Sequence, residues 1–452
     1  MEFHIVGLIL VYNRFVGEII VLKKLQLIII TVLSICLMGC SLELDDIRRA
    51  PEQAEVPLAT PSPTPEVMEV TDKIFVDEVG YCTSDKKLFL VRAGIENLDG
   101  YSYTIENVIN KTIVYSGTLS SLSKEETDFN TLYMGDCTEL TRSGVYRIAI
   151  DDIGYSKDFT IGETIYRDLY AQVYSELKDF SYTDDMELIR TLSGIMLTNE
   201  IYPSSYLDDG FISGKVEALM NKYISNGTLS QDMDVNLSAS LSGLLAQFAT
   251  DYMDKTPELA ETALYASAKM YDSVIVSEEK TYDDCLYFAA CELHRAQGYY
   301  EAVKTIEDIT VALDNGTETK SEYDYFLIAK VAYLSSTNRP DYDRCEKMLD
   351  GLRENVKNIS DSCTKETFYV QPDADTIGEE GMLDNMMQLS LVGYILRGRE
   401  YGSVQRNYLH YLTGVNAENK NYLKTRLEKT EDSNASNAIL LSKLLFSLGS
   451  SY

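Results

Sequence analysis

Side chains able to do covalent or metal chemistry are few in this 452-residue chain and poorly grouped. It has eight cysteines but no Cys-x-x-Cys pair, and its three histidines, His4, His294 and His410, lie far apart. A structural zinc site needs clustered Cys or His ligands, so this spacing argues against one. The sequence also lacks the His-Glu-x-x-His, Gly-x-Ser-x-Gly and phosphate-loop motifs, which argues against the enzyme classes that depend on them.

One cysteine does have a local pattern. Residues 37–40 read LMGC and follow two lysines and the apolar run Leu25–Met38. A charged segment, a short apolar run and a small residue before a cysteine follow the order of a bacterial lipoprotein signal, and the run is too short to span a bilayer comfortably. We predict cleavage before Cys40 and lipidation of its thiol; the alternative is an uncleaved anchor with an ordinary buried cysteine. Residues 1–20 fit the charged segment poorly, so translation is placed near Val21.

The segment after this signal, residues 41–70, has the composition of a tether. Five of the chain's nine prolines fall between Pro51 and Pro65, among Ala, Glu, Ser and Thr. Such a stretch buries too little apolar surface to fold and stays semi-extended. The sequence therefore predicts a membrane-anchored, extracytoplasmic lipoprotein of the bacterial surface, with its folded part held away from the bilayer.

The chain is strongly acidic, with a formal charge of −31 at pH 7. Nucleic acids and anionic lipid surfaces would be repelled by this charge, so neither is an expected partner. Membrane contact is expected through the lipid anchor only. The charge does not argue against a neutral ligand such as a glucan.

Residues 71–162 have the pattern of β-strands. Short runs rich in Val, Ile, Tyr and Phe recur about every ten residues between turn residues, which predicts a small β-sandwich. Cys82 and Cys137 both fall in this region, and whether they form a disulfide is left open.

From residue 163 to residue 452 the apolar period becomes that of helices. Val235, Leu237 and Leu241 begin one such stripe, and about twelve similar segments follow one another with short connections. Paired antiparallel helices are predicted, arranged either as a solenoid or as a closed α/α toroid. The periodicity does not choose between the two, although the lack of a fixed-length repeat weakens the solenoid.

The strand region resembles a known domain. IFVDEVGY (74–81), VYSGTL (114–119) and RSGVYRIAI (142–150) are similar to strands of the immunoglobulin-like domain that precedes the catalytic domain in many family 9 glycoside hydrolases. The helical region resembles the same family at 282–298, 378–423 and 431–448, in the same order. This resemblance implies an immunoglobulin-like β-sandwich followed by an (α/α)6 barrel.

The resemblance also implies an activity, the inverting hydrolysis of β-1,4-glucans. Inversion uses a carboxylate base that activates water and a carboxylic acid that protonates the leaving oxygen. The family's base motif, Asp-Ala-Gly-Asp-Tyr, falls on residues 226–229 (NGTL), where no side chain is able to accept the proton. With a small gap Asp232 or Asp234 takes the base position. The alternative is that both are solvated carboxylates at a helix start, stabilised there by the helix dipole.

The family's catalytic acid aligns with Glu431, at the start of the last predicted helix. Its alternative role is that of an ordinary acid in a first helical turn. Family members carry a histidine-containing loop before this acid, whereas residues 421–431 contain no histidine. Calcium, which some members bind, has no assignable ligand set here, and no other cofactor is implied.

Aromatic side chains give little support for a sugar cleft. The chain has 33 tyrosines and no tryptophan. Tyr252, Tyr265, Tyr287 and Tyr325 lie in predicted helices and are interpreted as packing residues rather than sugar platforms.

Together these patterns predict a surface-anchored relative of family 9, linked to the degradation of β-glucan or cellulose, with weak or lost catalysis. The alternative is a non-catalytic lipoprotein that binds a carbohydrate or another protein on the same scaffold. The barrel mouth discriminates between them, because two carboxylates facing each other across an open groove favour an enzyme, and a filled mouth favours an interaction protein.

Overall fold

Ten short strands form a two-layered β-sandwich at the start of the folded chain. The computed structural model describes residues 68–94, 97–122, 132–225, 227–363, 374–398, 400–427 and 436–450. The predicted signal, Cys40 and nearly all of the predicted tether lie outside the described residues. Residues 67–452 make up one compact unit.

The strands divide into two sheets. One has the order β1-β3-β7-β6 and the other β2-β10-β8-β4-β5, with β9 beside β8. The strands are β1 (Ile74–Phe75), β2 (Tyr81–Cys82), β3 (Leu88–Arg92), β4 (Ser102–Asn107), β5 (Ile113–Thr118), β6 (Ser120–Ser121), β7 (Leu132–Asp136), β8 (Gly144–Ile150), β9 (Gly154–Tyr155) and β10 (Phe159–Gly162).

Alternation along the strands explains the sandwich. In β8, Tyr146, Ile148 and Ile150 are buried, and the residues between them are partly exposed. Such a period of two places one face of a strand in the core and the other toward solvent. Within this domain Cys82 and Cys137 are separate thiols, not a disulfide.

The rest of the described chain is helical apart from a small hairpin, β11 (Ile224–Ser225) and β12 (Thr228–Leu229). The helices are α1 (Ile165–Asp179), α2 (Asp185–Ile201), α3 (Asp209–Tyr223), α4 (Val235–Tyr252), α5 (Pro257–Ile275), α6 (Asp283–Gln297), α7 (Tyr300–Asp314), α8 (Phe326–Ser335), α9 (Tyr342–Cys363), α10 (Ala374–Leu396), α11 (Glu400–Leu412), α12 (Lys424–Leu427) and α13 (Ser436–Gly449).

The longer helices alternate between two layers. Helices α2, α4 and α6 are buried almost all round over their central turns, as expected of helices enclosed by others. By contrast, α1, α5 and α7 bury only one stripe. An inner helix is therefore followed by an outer one along the chain.

The inner helices pack side by side in a continuous series. Helix α2 packs against α4, which packs against α6, and α6 against α8; in the other direction α2 packs against α13, and α13 against α10. Twelve described helices longer than one turn, in two alternating layers, confirm the predicted (α/α)6 barrel and decide against the solenoid. No helix of the described part is long and apolar enough to cross a membrane.

A buried polar junction joins the sandwich to the barrel. Asp77 and Asp85 of the sandwich are both 1% exposed. Nδ1 of His410, on α11, lies 2.6 Å from Oδ2 of Asp77, and Nε of Arg406, one turn earlier, lies 3.1 Å from Oδ1 of Asp85. The hydroxyl of Tyr166, on α1, donates to Asp85. His410 and Arg406 thus tie α11 of the barrel to buried carboxylates of the sandwich.

A second buried ion cluster lies where α2, α4 and α6 end. The guanidinium of Arg295 is 2.9 Å from Glu200, 2.5 Å from Asp251 and 3.8 Å from Glu292. Burial raises the pKa of Asp251 to about 7 and that of Glu292 to about 8, although Arg295 opposes both shifts. One cation thus faces three acids near helix carboxyl ends, where negative charge is already unfavourable.

Candidate active site at the barrel mouth

The mouth is defined here as the end of the barrel where the inner helices begin. Acids hold several of these helix starts in place. The Asp184 side chain accepts from the amide of Met186 at the start of α2. In the first turn of α6, Oδ2 of Asp284 accepts from the amide of Tyr323, which lies just before α8. The first bond caps α2, and the second fixes the loop before α8 against the start of α6.

The predicted base candidates also lie at the mouth. Asp234 is the N-cap of α4, and its Oδ1 accepts from the amide of Leu237 at 2.8 Å. Asp232 is exposed, and its own amide donates to the hydroxyl of Ser230. Each therefore has the geometry of the alternative interpretation, a carboxylate at a helix start. Their catalytic assignment stays a prediction.

The segment aligned with the family's base motif is a tight hairpin. Thr228–Leu229 pairs with Ile224–Ser225, and Gly227 adopts a left-handed φ of +73° at the turn. Lys269, on α5, donates to the carbonyl of Gly227. Residues 227–229 carry no carboxylate side chain, and Asn226 lies outside the described residues. The acid candidate, Glu431, also lies outside them.

A charged cluster that the sequence interpretation missed occupies the mouth. Nζ of Lys443, on α13, lies 2.5 Å from Oδ1 of Asp384, 2.9 Å from Oδ2 of Asp324 and 3.7 Å from Glu380. Arg190, on α2, lies 3.9 Å from Asp324 and donates through Nε to the carbonyl of Tyr323. We call Arg190, Asp324, Glu380, Asp384 and Lys443 the mouth cluster.

Burial divides this cluster into a floor and a rim. The side chains of Arg190 and Lys443 are each 1% exposed, whereas Asp324 is 47% exposed. Asp324 has a left-handed φ of 55°, a conformation that aspartate tolerates better than most residues. Burial raises the pKa of Asp384, and the ammonium of Lys443 opposes the shift. Two buried cations thus face acids that reach solvent.

The two closest acids of the cluster do not have inverting geometry. The facing oxygens of Asp324 and Asp384 lie within 2.9 Å of the same nitrogen atom. An inverting pair is separated by about 6.5–9.5 Å, which leaves room for the attacking water. Here an ammonium group lies between the two carboxylates.

A further acid lies beside the start of α13. Oε1 of Glu187 faces the amide of Ala438 at 3.4 Å, and Oε2 has no hydrogen-bond partner among the described residues. Burial raises the pKa of Glu187 to about 7. Glu187 is 2% exposed, so it supports the wall of the mouth rather than facing solvent.

Comparison with known proteins agrees with this architecture. Residues 69–155 match the family described as the cellulase N-terminal ig-like domain. No curated protein matches the sequence.

The whole folded chain is similar to solved structures at low identity. The structure titled Bacteroides ovatus GH9 has a TM-score of 0.63 and 12% identity, over 84% of this chain and 99% of that one. A metagenome-derived glycoside hydrolase family 9 endoglucanase has a TM-score of 0.62 and 16% identity, over 77% and 84% of the two chains. A thermostable endoglucanase from Alicyclobacillus acidocaldarius has the same score and identity, over 78% and 84%.

The chain therefore combines an immunoglobulin-like domain of the cellulase type with a helical domain that has the fold of family 9 endoglucanases.

Proposed function

We propose that this protein is a surface-anchored, glycan-engaging lipoprotein on the family 9 scaffold, and that its inverting catalysis is weak or lost. The scaffold supports a link to polysaccharide degradation, with β-glucan as the first ligand to test. The observation that carries the proposal is the mouth cluster, in which Lys443 lies between Asp324 and Asp384.

The chemistry of inversion explains why this cluster matters. A general base must hold a water molecule and take its proton in the transition state, and the loss of such a base lowers the rate by about 10²–10⁴-fold. The ammonium of Lys443 lies within 2.9 Å of the facing oxygens of Asp324 and Asp384, so neither carboxylate has room beside it for a water held between two acids. Asp234 caps α4 and Asp232 lies exposed just before it, so both base candidates have the alternative role of carboxylates at a helix start.

A non-catalytic role as a carbohydrate- or protein-binding lipoprotein is the second candidate. The mouth cluster places a buried ammonium against its two closest acids instead of leaving a water-sized gap between them, which favours binding over turnover. The two candidates differ in whether any hydrolysis remains.

The decisive experiment measures the release of reducing ends from soluble β-glucan by the purified full chain. Variants Glu431→Gln and Asp234→Asn test the two aligned positions. Asparagine caps a helix about as well as aspartate, so Asp234→Asn removes the carboxylate and keeps the cap. Asp254→Asn, at an exposed aspartate just after the other end of α4, is the matched control.

We expect release at the level of the protein-free blank for all four proteins. Robust release that is abolished by Glu431→Gln or Asp234→Asn, but not by Asp254→Asn, would overturn the proposal of weak or lost catalysis. Gel electrophoresis in the presence of β-glucan tests binding separately. Retardation that is reduced by Asp324→Ala supports glycan engagement at the mouth, whereas equal mobility with and without glucan contradicts it.

Anchoring is proposed from the LMGC motif and the tether that follows it. Replacement of Cys40 by alanine is expected to release the protein from the membrane fraction or to block its maturation. Unchanged fractionation, together with an unmodified Cys40 in the mass spectrum of the natural chain, contradicts anchoring and leaves the proposal for the mouth unaffected.

A further inference from the structure

A groove of about 430 Å³ lies at the end of the barrel opposite the mouth. It is formed where α2, α10 and α13 end and where α11 begins. Its glycines, Gly393, Gly398 and Gly402, leave room in its floor and sides. We call it the far groove; Tyr202, Ser390, Tyr394, Arg397, Gln405 and Arg406 are among its lining residues.

An aromatic ring is held rigidly at this groove. Tyr394 is 51% exposed, and its ring packs edge-on against Tyr202, with centroids 5.6 Å apart. Tyr202 in turn packs on Phe446 and donates its hydroxyl to the carbonyl of Ser390. A Cβ on Gly449 would lie 2.7 Å from the Tyr202 ring, so the close packing requires that glycine. An exposed face on a buttressed ring is a platform for the C–H face of a sugar.

Two arginines supply the charge of the far groove. Arg397 is exposed in the turn after α10. Arg406 pairs with Asp85 through its Nε atom. Its Nη1 atom lies beside Gly402, on the groove side, 3.6 Å from the point that a Cβ of that glycine would occupy. The acid nearest to these two arginines along the chain is Glu400, whose carboxylate lies beside Gly398.

The other polar groups of the groove are already satisfied within the protein. Nε2 of Gln405 donates to the carbonyl of Ser447, and the hydroxyl of Ser450 donates to that carbonyl and to Oε1 of Gln405. Guanidinium groups are donors only and match the fork of a carboxylate. The groove therefore favours a ligand that offers an apolar ring face and an anionic acceptor.

We propose that the far groove binds a saccharide that carries a carboxylate, such as a uronic acid, with its ring on Tyr394 and its carboxylate at Arg397 and Arg406. The acidic surface elsewhere does not prevent this, because charges more than about 8 Å away are largely screened at physiological ionic strength. The inference goes beyond the function proposed for the mouth and does not depend on it, since the two sites lie at opposite ends of the barrel.

Isothermal titration of the full chain with a galacturonic acid tetramer tests the proposal, with cellotetraose as the neutral probe. Arg397→Gln and Tyr394→Ala are each expected to weaken uronate binding by about tenfold, in line with the loss of a charge-assisted hydrogen bond or of a stacking face. Arg353→Gln, at an exposed arginine of α9, is the matched control and is expected to leave binding unchanged. Raising the salt from about 50 to 300 mM should weaken uronate binding.

Three results would overturn the inference. They are the absence of uronate binding by the natural chain, binding of cellotetraose as tight as that of the uronate, and uronate binding that neither Arg397→Gln nor Tyr394→Ala weakens. Both variants change exposed side chains, and an unchanged thermal midpoint verifies that each is folded.

Discussion

Replacing Arg295 by methionine should destabilise the barrel strongly, and by an amount that depends on pH. The side chain is 5% exposed and is the cation that the acid cluster of Glu200, Asp251 and Glu292 surrounds. Methionine fills a similar volume without the charge, so the three acids lose their partner. Breaking a buried pair in this way costs about 3–5 kcal/mol of unfolding free energy.

The direction of the pH dependence follows from the raised pKa values. Asp251 has a folded pKa of about 7 against an ordinary value of 3.8, and Glu292 one of about 8 against 4.5. Between the ordinary and the folded pKa of each acid, the folded state holds a proton that the unfolded state has released. The unfolding free energy therefore falls as the pH rises from 5 to 8. A pKa shift of this size changes the free energy of unfolding by about 4 kcal/mol. Because the two carboxyls share one arginine, we expect a total loss of about 4 kcal/mol of unfolding free energy between pH 5 and pH 8.

Urea denaturation followed by circular dichroism at pH 5 and pH 8 measures both effects. Arg295→Met should lose more stability at pH 8 than at pH 5, where protonated acids no longer need the cation. Arg353→Met, at a side chain that is 58% exposed, is the control and should change the unfolding free energy by less than about 0.5 kcal/mol. The reasoning is refuted if the natural chain gains stability from pH 5 to pH 8, or if Arg295→Met costs the same at both.

Three further perturbations test other contacts. Asp234→Ala should cost about 1 kcal/mol of unfolding free energy in urea denaturation through loss of the α4 cap; no change would contradict the capping role. Limited proteolysis should cut first within 41–70, and early cleavage at 160–166 that leaves both halves intact would mean a loose junction. His410→Ala removes the partner of Oδ2 of buried Asp77 and should cost about 1–3 kcal/mol and expose 160–166 to protease; an unchanged digestion pattern would count against the junction's importance.

The sandwich was predictable because its information is local. Alternation in RSGVYRIAI places Tyr146, Ile148 and Ile150 on one face, and β8 buries those three residues. The helices were predictable as segments, but the layer of each was not. The stripe from Leu237 to Phe248 reads as amphipathic, yet α4 buries Ser240 and Gln247 as well, because it lies in the inner layer.

Packing also decided the role of the tyrosines. Tyr252, Tyr287 and Tyr325 are buried as the helical pattern predicts. The prediction for Tyr265 is wrong, since this residue is 70% exposed on the outer face of α5. An outer helix buries only one narrow face, so helical spacing alone does not show whether a given tyrosine lies on that face.

The mouth cluster could not be derived from spacing, because its members come from opposite ends of the helical region. Arg190 lies in α2 and Lys443 in α13, and the ring brings them to the same carboxylate of Asp324. One signal was present nevertheless. Lys443 is the single charge in the apolar run AILLSKLLFSL, and a charge in an enclosed helix requires a partner from elsewhere in the fold.

The way the ring closes has a consequence for how the chain reaches its native state. Helix α13, made last, packs against α2 and α1, which are made first among the helices. The last strand of the sandwich ends at Gly162, so all ten of its strands are synthesised before the first helix of the barrel. The barrel must wait for its final helix, and until then α1 and α2 expose faces such as that of Leu192. Barrel closure therefore comes late as the chain is synthesised, and a chain that stops before α13 loses the closure of the whole barrel rather than one helix.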